Sequence, residues 1–269
     1  MSTSGVLGRY IQLDSTMATW WRCSIAAIAL WFICKIAKID LKIKSSSDLK
    51  KITIAGILLA VHFPTYFYSL DYSNVAIALL TLYTFPAFTA IIEPLFTKTP
   101  FKYIDLLLAC CSLVGVMIMV PSFSLENEFS FAIILGLISS ISYVFRNLIL
   151  LEPAKIYPGS TLMFYQLVIL SIVLSPFWLF IDGIPSKNDW QALLALALVT
   201  TVLGHTLFVM SLRKLNATTA SLMSCLAPVL AICWAYLFLN EVPTTKTILG
   251  GIIILTTVVY KTILKSKES

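Results

Sequence analysis

Apolar runs of about twenty residues follow one another along this chain, separated by short polar gaps that alternate in charge. A bilayer core of ~30 Å is crossed by ~20 apolar residues in a helix. The pattern therefore predicts membrane-spanning helices at 15–37, 52–71, 74–96, 101–121, 131–151, 159–181, 190–212, 216–239 and 245–264. A shorter apolar piece occupies 1–13. As a helix it rises only ~20 Å, too little to cross, so the first helix is expected to be incomplete, or else a short re-entrant or interfacial segment. The gaps are too short to hold a soluble domain, and the lipid bilayer is the expected partner.

Composition sharpens this class. The chain is 59% hydrophobic and 12% charged, against ~25% charged in an ordinary soluble domain. The net charge of +6 reads as loop lysines rather than nucleic-acid affinity. All six cysteines fall inside apolar spans and read as small buried thiols. Their spacing suggests neither a disulfide framework nor a metal site, and no cofactor is expected. The N-terminus lacks the basic region and cleavage site of a signal peptide.

The signs of the gaps give an orientation. Fifteen of the 19 basic residues lie in one set of gaps: six lysines between Lys35 and Lys51, then Lys98, Lys102, Arg146, Lys155, Arg213, Lys214, Lys261, Lys265 and Lys267. The opposite gaps hold Asp14, Asp71, Glu126, Glu128, Asp182, Asp189 and Glu241, offset only by Lys187 and Lys246. Because cytoplasmic loops retain Lys and Arg, the C-terminus is expected in the cytoplasm. An even number of spans puts the N-terminus there too, in a multi-pass protein of the inner or plasma membrane.

An internal repeat underlies the pattern. Residues 69–96 align without gaps to 211–238, with identities that include Asn74/Asn216, Ala78/Ala220, Leu80/Leu222 and Pro86/Pro228. Each copy is followed by one more apolar span, so the unit is five helices. Five is odd, and the second half is therefore expected to be inverted in the membrane. Inverted repeats characterise secondary transporters, which bind substrate at the repeat interface near the midplane. Asn74 and Asn216 are placed to cap their helices. Pro86 and Pro228 sit mid-span and free a backbone carbonyl each, which makes them either symmetry-related gating kinks or packing kinks.

At this point the residues resemble a known family. Tyr66 to Phe96, with its Y-F-Y-S-L ending, small-residue run, Tyr83 and mid-helix Pro86, is similar to the second and third helices of an EamA domain. Leu203 to Leu255 resembles the matching part of a second EamA domain: S-L-R-K-L-N-A-T-T-A-S-L, A-P-V-L-A, L-F-L-N-E-V-P and a Gly-Gly apolar helix. Arg9 and Arg22 match basic positions common in the first two helices. The resemblance covers essentially the whole chain and implies the drug/metabolite transporter superfamily. The implied fold is an all-α integral membrane bundle of ten helices in two inverted five-helix repeats, 1–121 and 122–269, here with the first helix truncated. It also implies carriage of small metabolites, often export of amino acids or related compounds. The chain departs from the pattern where Lys98-Thr99 replaces the Asn240-Glu241 of the second copy, and where Glu93 faces Ala235 in the alignment.

Ionisable groups inside a membrane are functional candidates by default. Arg22 lies about two turns into its helix and offers a bidentate fork to a substrate carboxylate; alternatively it snorkels outward or fixes helix packing. Glu93 is a candidate proton-coupling carboxylate, or an interfacial partner for Lys98. His62 and Tyr66 share a helix face, and His205 occupies a nearly equivalent place in the second half. The two histidines suit substrate binding or titration near neutral pH, or a structural hydrogen bond. Ser139, Tyr143, Arg146 and Asn147 share one face that suits a cavity lining, with Arg146 expected to anchor at the cytoplasmic interface. Tyr83, one turn before Pro86, is a candidate cavity aromatic, and Gln166 a candidate for interhelical hydrogen bonding. Trp20, Trp21, Trp178 and Trp190 read as interfacial belt residues.

The chain is thus expected to be a secondary transporter of a small-molecule substrate working by alternating access, as monomer or homodimer. A nucleotide-sugar or sugar-phosphate exchanger is the alternative within transport, and it needs more cavity cations than Arg9, Arg22 and Arg146 supply. An enzyme is disfavoured, since no H-E-x-x-H, G-x-S-x-G or clustered aspartate motif occurs. A non-transport membrane protein is the remaining alternative.

Overall fold

The computed structural model describes residues 4, 7, 10–73, 75–119, 129–230, 233 and 244–268. Arg9, Asn74, Glu126, Glu128, Ala235 and the 240–241 pair lie outside the described residues, as does most of the expected first-helix fragment. Among the described residues the fold is all-α, with no strand. Among the described residues seven helical runs are long and apolar enough to cross a membrane, and two shorter apolar ones, Tyr103–Ile118 and Ala217–Leu230, occupy the remaining predicted positions.

The chain divides into two compact units, each drawing one segment from the first part of the sequence and one from the second. The first unit comprises Thr3–Phe67 and Phe145–Leu215. Its helix α1 (Ser15–Ile36) starts where the Asp14 carboxylate accepts from the backbone N–H of Thr16 at 2.8 Å and of Met17 at 3.3 Å, supplying acceptors the first turn lacks. It ends at Ala37, followed by Lys38 in the left-handed region at φ 52°. Helix α2 (Ser46–Asp71) contains Pro64 yet continues past it. Helix α6 (Phe129–Ile156), which belongs to this unit from Phe145 onward, and α7 (Gly159–Leu174) follow, numbered after the second unit's α3 (Val75–Leu82), α4 (Phe85–Thr97) and α5 (Tyr103–Met119).

The span 189–211 is not uniform. It runs as α8 (Asp189–Ala195), a π-helical stretch (Leu196–His205) and α9 (Thr206–Ser211). In the first unit α1 packs along α7 and across the π-helical stretch. Gly56 permits a close approach of α2 to α7, because a Cβ there would sit 2.8 Å from Ile169 Cβ. Trp20, Trp21, Trp178 and Trp190 stack edge-to-face, with centroids 5.0–5.8 Å apart. Trp20 Nε1 donates to the Ser171 carbonyl at 2.9 Å and Trp21 Nε1 to that of Gly183 at 2.6 Å. Two of the four indoles, Trp20 and Trp21, are thus tied to the backbone as well as to their neighbours, whereas the buried Trp178 Nε1 has no hydrogen-bond partner among the described residues.

The second unit comprises Tyr68–Val144 and Asn216–Ser269. Helix α5 packs along α11 (Thr245–Glu268), and α4 packs on α10 (Ala217–Ser224). Inside the α5–α11 contact, Ser112 and Thr257 share a hydrogen bond of 2.8 Å, and Lys261 Nζ meets Asp105 Oδ1 at 2.6 Å. The expected cytoplasmic lysine at 261 is therefore a buried ion pair, because Asp105 falls opposite it on the neighbouring helix. Of the six cysteines expected to be buried, Cys23, Cys34 and Cys225 are, whereas Cys110 and Cys233 are exposed on the chain's surface.

The two prolines of the repeat act alike. Helix α3 ends at Leu82 and α10 at Ser224, the residues four before Pro86 and Pro228. A proline removes the hydrogen bond to that carbonyl and its ring clashes with it. The expected mid-span kinks are thus helix breaks, at the turns Tyr83–Thr84 and Cys225.

Candidate substrate site

Arg22, His62, Tyr66 and His205 all belong to the first unit, and three of them meet through one ring. The Arg22 guanidinium carbon stands 4.5 Å from the centroid of Phe63. The His205 ring meets the same phenyl edge-on at 5.1 Å, and the neighbouring His62 ring lies 5.2 Å from it. Tyr66 follows His62 by one turn on α2.

The π-helical stretch sets the other wall. Its wider turn lets the Thr201 hydroxyl donate to the Leu196 carbonyl, five residues back, at 3.2 Å. The same oxygen accepts Arg22 Nε at 2.6 Å. Arg22 is 2% exposed, and among the described residues Thr201 is its one hydrogen-bond partner. Among the described residues neither Nη has a hydrogen-bond partner, so the fork is held there by its stem. This is a cation fixed in the interior by a hydroxyl and an aromatic face.

Arg146 stands differently from expectation. It is 0% exposed, with Nε donating to Gln166 Oε1 at 2.7 Å and Nη1 to Asn147 Oδ1 at 2.9 Å. The sequence pattern ended this span near 151, but α6 runs to Ile156. Arg146 therefore lies ~15 Å before the helix end rather than at the interface. Gln166 does join two helices, as expected of it.

Tyr83, Tyr143, Pro86, Pro228 and Glu93 fall in the second unit. Tyr83 and Tyr143 are both buried and flank Phe85, at centroid distances of 5.8 Å and 5.3 Å. Thr84, at the break between α3 and α4, shares a 2.9 Å hydrogen bond with Ser140 on α6. Glu93 is buried and caps the helix that follows Asn216. Its carboxylate accepts the backbone N–H of Ala217 at 2.7 Å and of Thr218 at 2.8 Å, and the Thr218 hydroxyl as well. Asn216 Oδ1 accepts from Thr219 N at 2.9 Å, the cap expected of it. Glu93 thus meets a helix N-terminus, where a negative charge is favoured, rather than Lys98, which ends α4 at φ 56°.

The EamA-like transporter family model matches residues 1–120 and 129–261, nearly the whole chain. The chain belongs to the EamA-like transporter family. It is a multi-pass membrane protein and a membrane transporter, consistent with the drug/metabolite transporter superfamily. Among its EamA relatives, the pseudopaline exporter CntI of Pseudomonas aeruginosa is 22% identical over 90% of this chain and 84% of its own length. An uncharacterised transporter of Archaeoglobus fulgidus is 23% identical over 95% of the chain and 89% of its own. Another from Synechocystis is 27% identical over 84% and 67%. A solved crystal structure has the same fold, with TM-score 0.83 at 15% identity, covering 98% of this chain and 93% of that one.

Three contacts of the candidate site escape a reading of this EamA chain's sequence. Phe63 and Thr201 look like ordinary span residues, and the π-helical register that aims Thr201 has no sequence signature. Asn147 is on a recognisable polar face, but its role in holding Arg146 needs the tertiary contact.

Proposed function

We propose that this chain is a secondary carrier of small metabolites, amino acids or related carboxylate-bearing compounds, that exports them by alternating access. The observation that supports this reading best is Arg22: a buried guanidinium fixed through Nε and Phe63, with its two Nη groups uncommitted among the described residues. A carboxylate docks on such a fork through two parallel hydrogen bonds. Tyr66, His62 and His205 line the same region and shape what else of the substrate fits. The exporter named among the relatives supports the outward direction.

In this reading, residues 1–121 and 122–269 are the two inverted repeats, with both termini in the cytoplasm of a cell whose inner or plasma membrane holds the protein. The paired breaks before Pro86 and Pro228 are the hinges, with Tyr83 and Tyr143 beside the first. Glu93 is the proton-coupling carboxylate: neutralising it would weaken, without abolishing, its cap on α10. Counterflow in proteoliposomes tests the proposal. Vesicles preloaded with an unlabelled amino acid or organic acid should accumulate the labelled compound saturably with the native chain and not with Arg22→Ala. Equal accumulation by both would remove Arg22 from the site, and no accumulation of any carboxylate by the native chain would overturn the reading.

A further inference from the structure

The segment between α1 and α2 joins two of the apolar spans, Ser15–Ile36 and Ser46–Asp71. From Lys35 to Lys51 the chain carries six lysines and two aspartates. Lys38, at φ 52°, turns it out of α1, and the Ile39 N–H returns to the Cys34 carbonyl at 2.8 Å, a bond that closes a left-handed helix cap. Side chains around the start of α7 then hold the segment at three points. The Thr161 hydroxyl donates to the Asp40 carbonyl and the Tyr165 hydroxyl to the Leu41 carbonyl, each at 3.0 Å. The Tyr157 hydroxyl accepts the Lys44 N–H at 3.2 Å and donates to the Asp48 carboxylate at 2.9 Å.

These anchors sort the side chains. From Lys38 to Ser45 exposure alternates strictly: Lys38, Asp40, Lys42 and Lys44 are exposed, and the residues between them are partly covered. A period of two sends neighbours to opposite sides, so Lys42 and Lys44 project together, about 7 Å apart. The acid on that side, Asp40, accepts the Lys42 N–H at 2.8 Å. Among the described residues neither Lys42 nor Lys44 makes an ion pair, whereas Lys155, two residues before Tyr157, is paired with Glu152 at 2.8 Å.

A short segment between two spans stays at the membrane boundary. Ile36 is 82% and Leu49 42% exposed, which leaves apolar surface for acyl chains at either end of the lysine ribbon. Lys35 stands over the Trp31 ring at 5.8 Å, a pairing suited to headgroup depth. Orienting a chain in the membrane needs only the charges, and a ribbon fixed at three points goes beyond that need. We infer that this ribbon is a docking surface for the headgroups of anionic phospholipids, centred on Lys42 and Lys44. The chemistry received is a phosphate ester. Lipid is its source, because the surface beside the lysines is apolar. An ammonium meets phosphate as a point charge, so the contact tolerates different headgroups and weakens with salt.

Native mass spectrometry of the purified full-length chain in neutral detergent tests this, with phosphatidylglycerol or phosphatidylcholine of identical acyl chains added. Phosphatidylglycerol should be retained about tenfold more tightly at low salt, and the preference should shrink as salt rises. Lys42→Gln with Lys44→Gln should remove most of that preference, since two lysines near an anionic surface are worth about tenfold or more. Lys42→Arg with Lys44→Arg should retain it. Lys187→Gln with Lys246→Gln, which removes two exposed lysines from the opposite set of gaps, should leave it unchanged. Tyr157→Phe keeps every charge but releases the ribbon, and should weaken the preference a few-fold. Equal retention of the two lipids by the native chain would overturn the inference. So would an unmoved preference in the Lys42 and Lys44 double glutamine variant or in Tyr157→Phe, or an equal loss in the Lys187 and Lys246 variant. Displacement of bound phosphatidylglycerol by an excess of glycerol 3-phosphate would overturn lipid as the source. None of these readings involves transport, so they stand or fall apart from the carrier proposal.

Discussion

Arg22 Nε donates to Thr201 Oγ1 at 2.6 Å, joining residues 179 apart in sequence. The acceptor is available because the π-helical turn lets the same hydroxyl donate to Leu196 O. π-Helical insertions recur at functional sites because they re-aim a side chain. The aim of the guanidinium therefore depends on a backbone irregularity in another helix. Thr201→Val should remove the acceptor at little cost in volume and weaken substrate binding by about tenfold or more, one hydrogen bond to a charged group being worth ~1.5–3 kcal/mol. A rise in half-saturation concentration at unchanged maximal rate and unchanged melting temperature is the expected result. An unaltered half-saturation concentration would show that Thr201 does not position Arg22.

The cap formed by Glu93 on α10 carries a separate prediction. Glu93→Ala leaves the N–H groups of Ala217 and Thr218 without their acceptor, and should destabilise the chain by about 1–3 kcal/mol. Glu93→Gln retains one carbonyl oxygen and should recover part of that loss. Thermal unfolding in detergent distinguishes the three proteins. If Glu93 also couples protons, Glu93→Gln should in addition flatten the pH dependence of counterflow.

Lys261 and Asp105 form a buried pair, and breaking one side differs from removing both. Lys261→Ala strands a buried carboxylate and should cost roughly 3–5 kcal/mol. The double variant Asp105→Leu with Lys261→Met should lie close to the native stability, since apolar replacements of a buried pair are often neutral. A double-mutant cycle on unfolding midpoints checks this. Additive losses would contradict the coupling.

Gly136 marks the closest approach among the described glycines of the second unit. A Cβ at this position would fall 2.0 Å from Thr81 Oγ1 and 2.7 Å from Thr81 Cβ. Gly136→Ala should destabilise by about 1–3 kcal/mol through overpacking. Thr81→Ala in the same chain removes the nearer atom and should restore part of the stability. Equal melting temperatures for native and Gly136→Ala chains would contradict the packing.

The spans were legible because each bilayer crossing imposes its own run of apolar residues, and α1, α5 and α11 lie where those runs lie. The repeat was legible too, since Asn and Pro recur at one offset. What the proline does was only half legible. Pro64, Pro86 and Pro228 look alike in sequence, yet α2 continues through Pro64, where the Thr65 hydroxyl donates to the Val61 carbonyl at 2.7 Å, while the other two end helices four residues earlier. The apolar run that ends near 151 puts Arg146 close to a span end, and nothing local in the sequence says that Gln166 and Asn147 accept from it. The partner of Glu93 lies 124 residues on, and no periodicity reports a contact of that range.

The most direct test of the account is counterflow of a labelled amino acid or organic acid by native and Arg22→Ala proteins, reconstituted at equal density after both have been shown to melt alike. The account predicts saturable counterflow with the native chain and its loss in the variant. Counterflow surviving in Arg22→Ala would contradict the claim that this buried guanidinium receives the substrate.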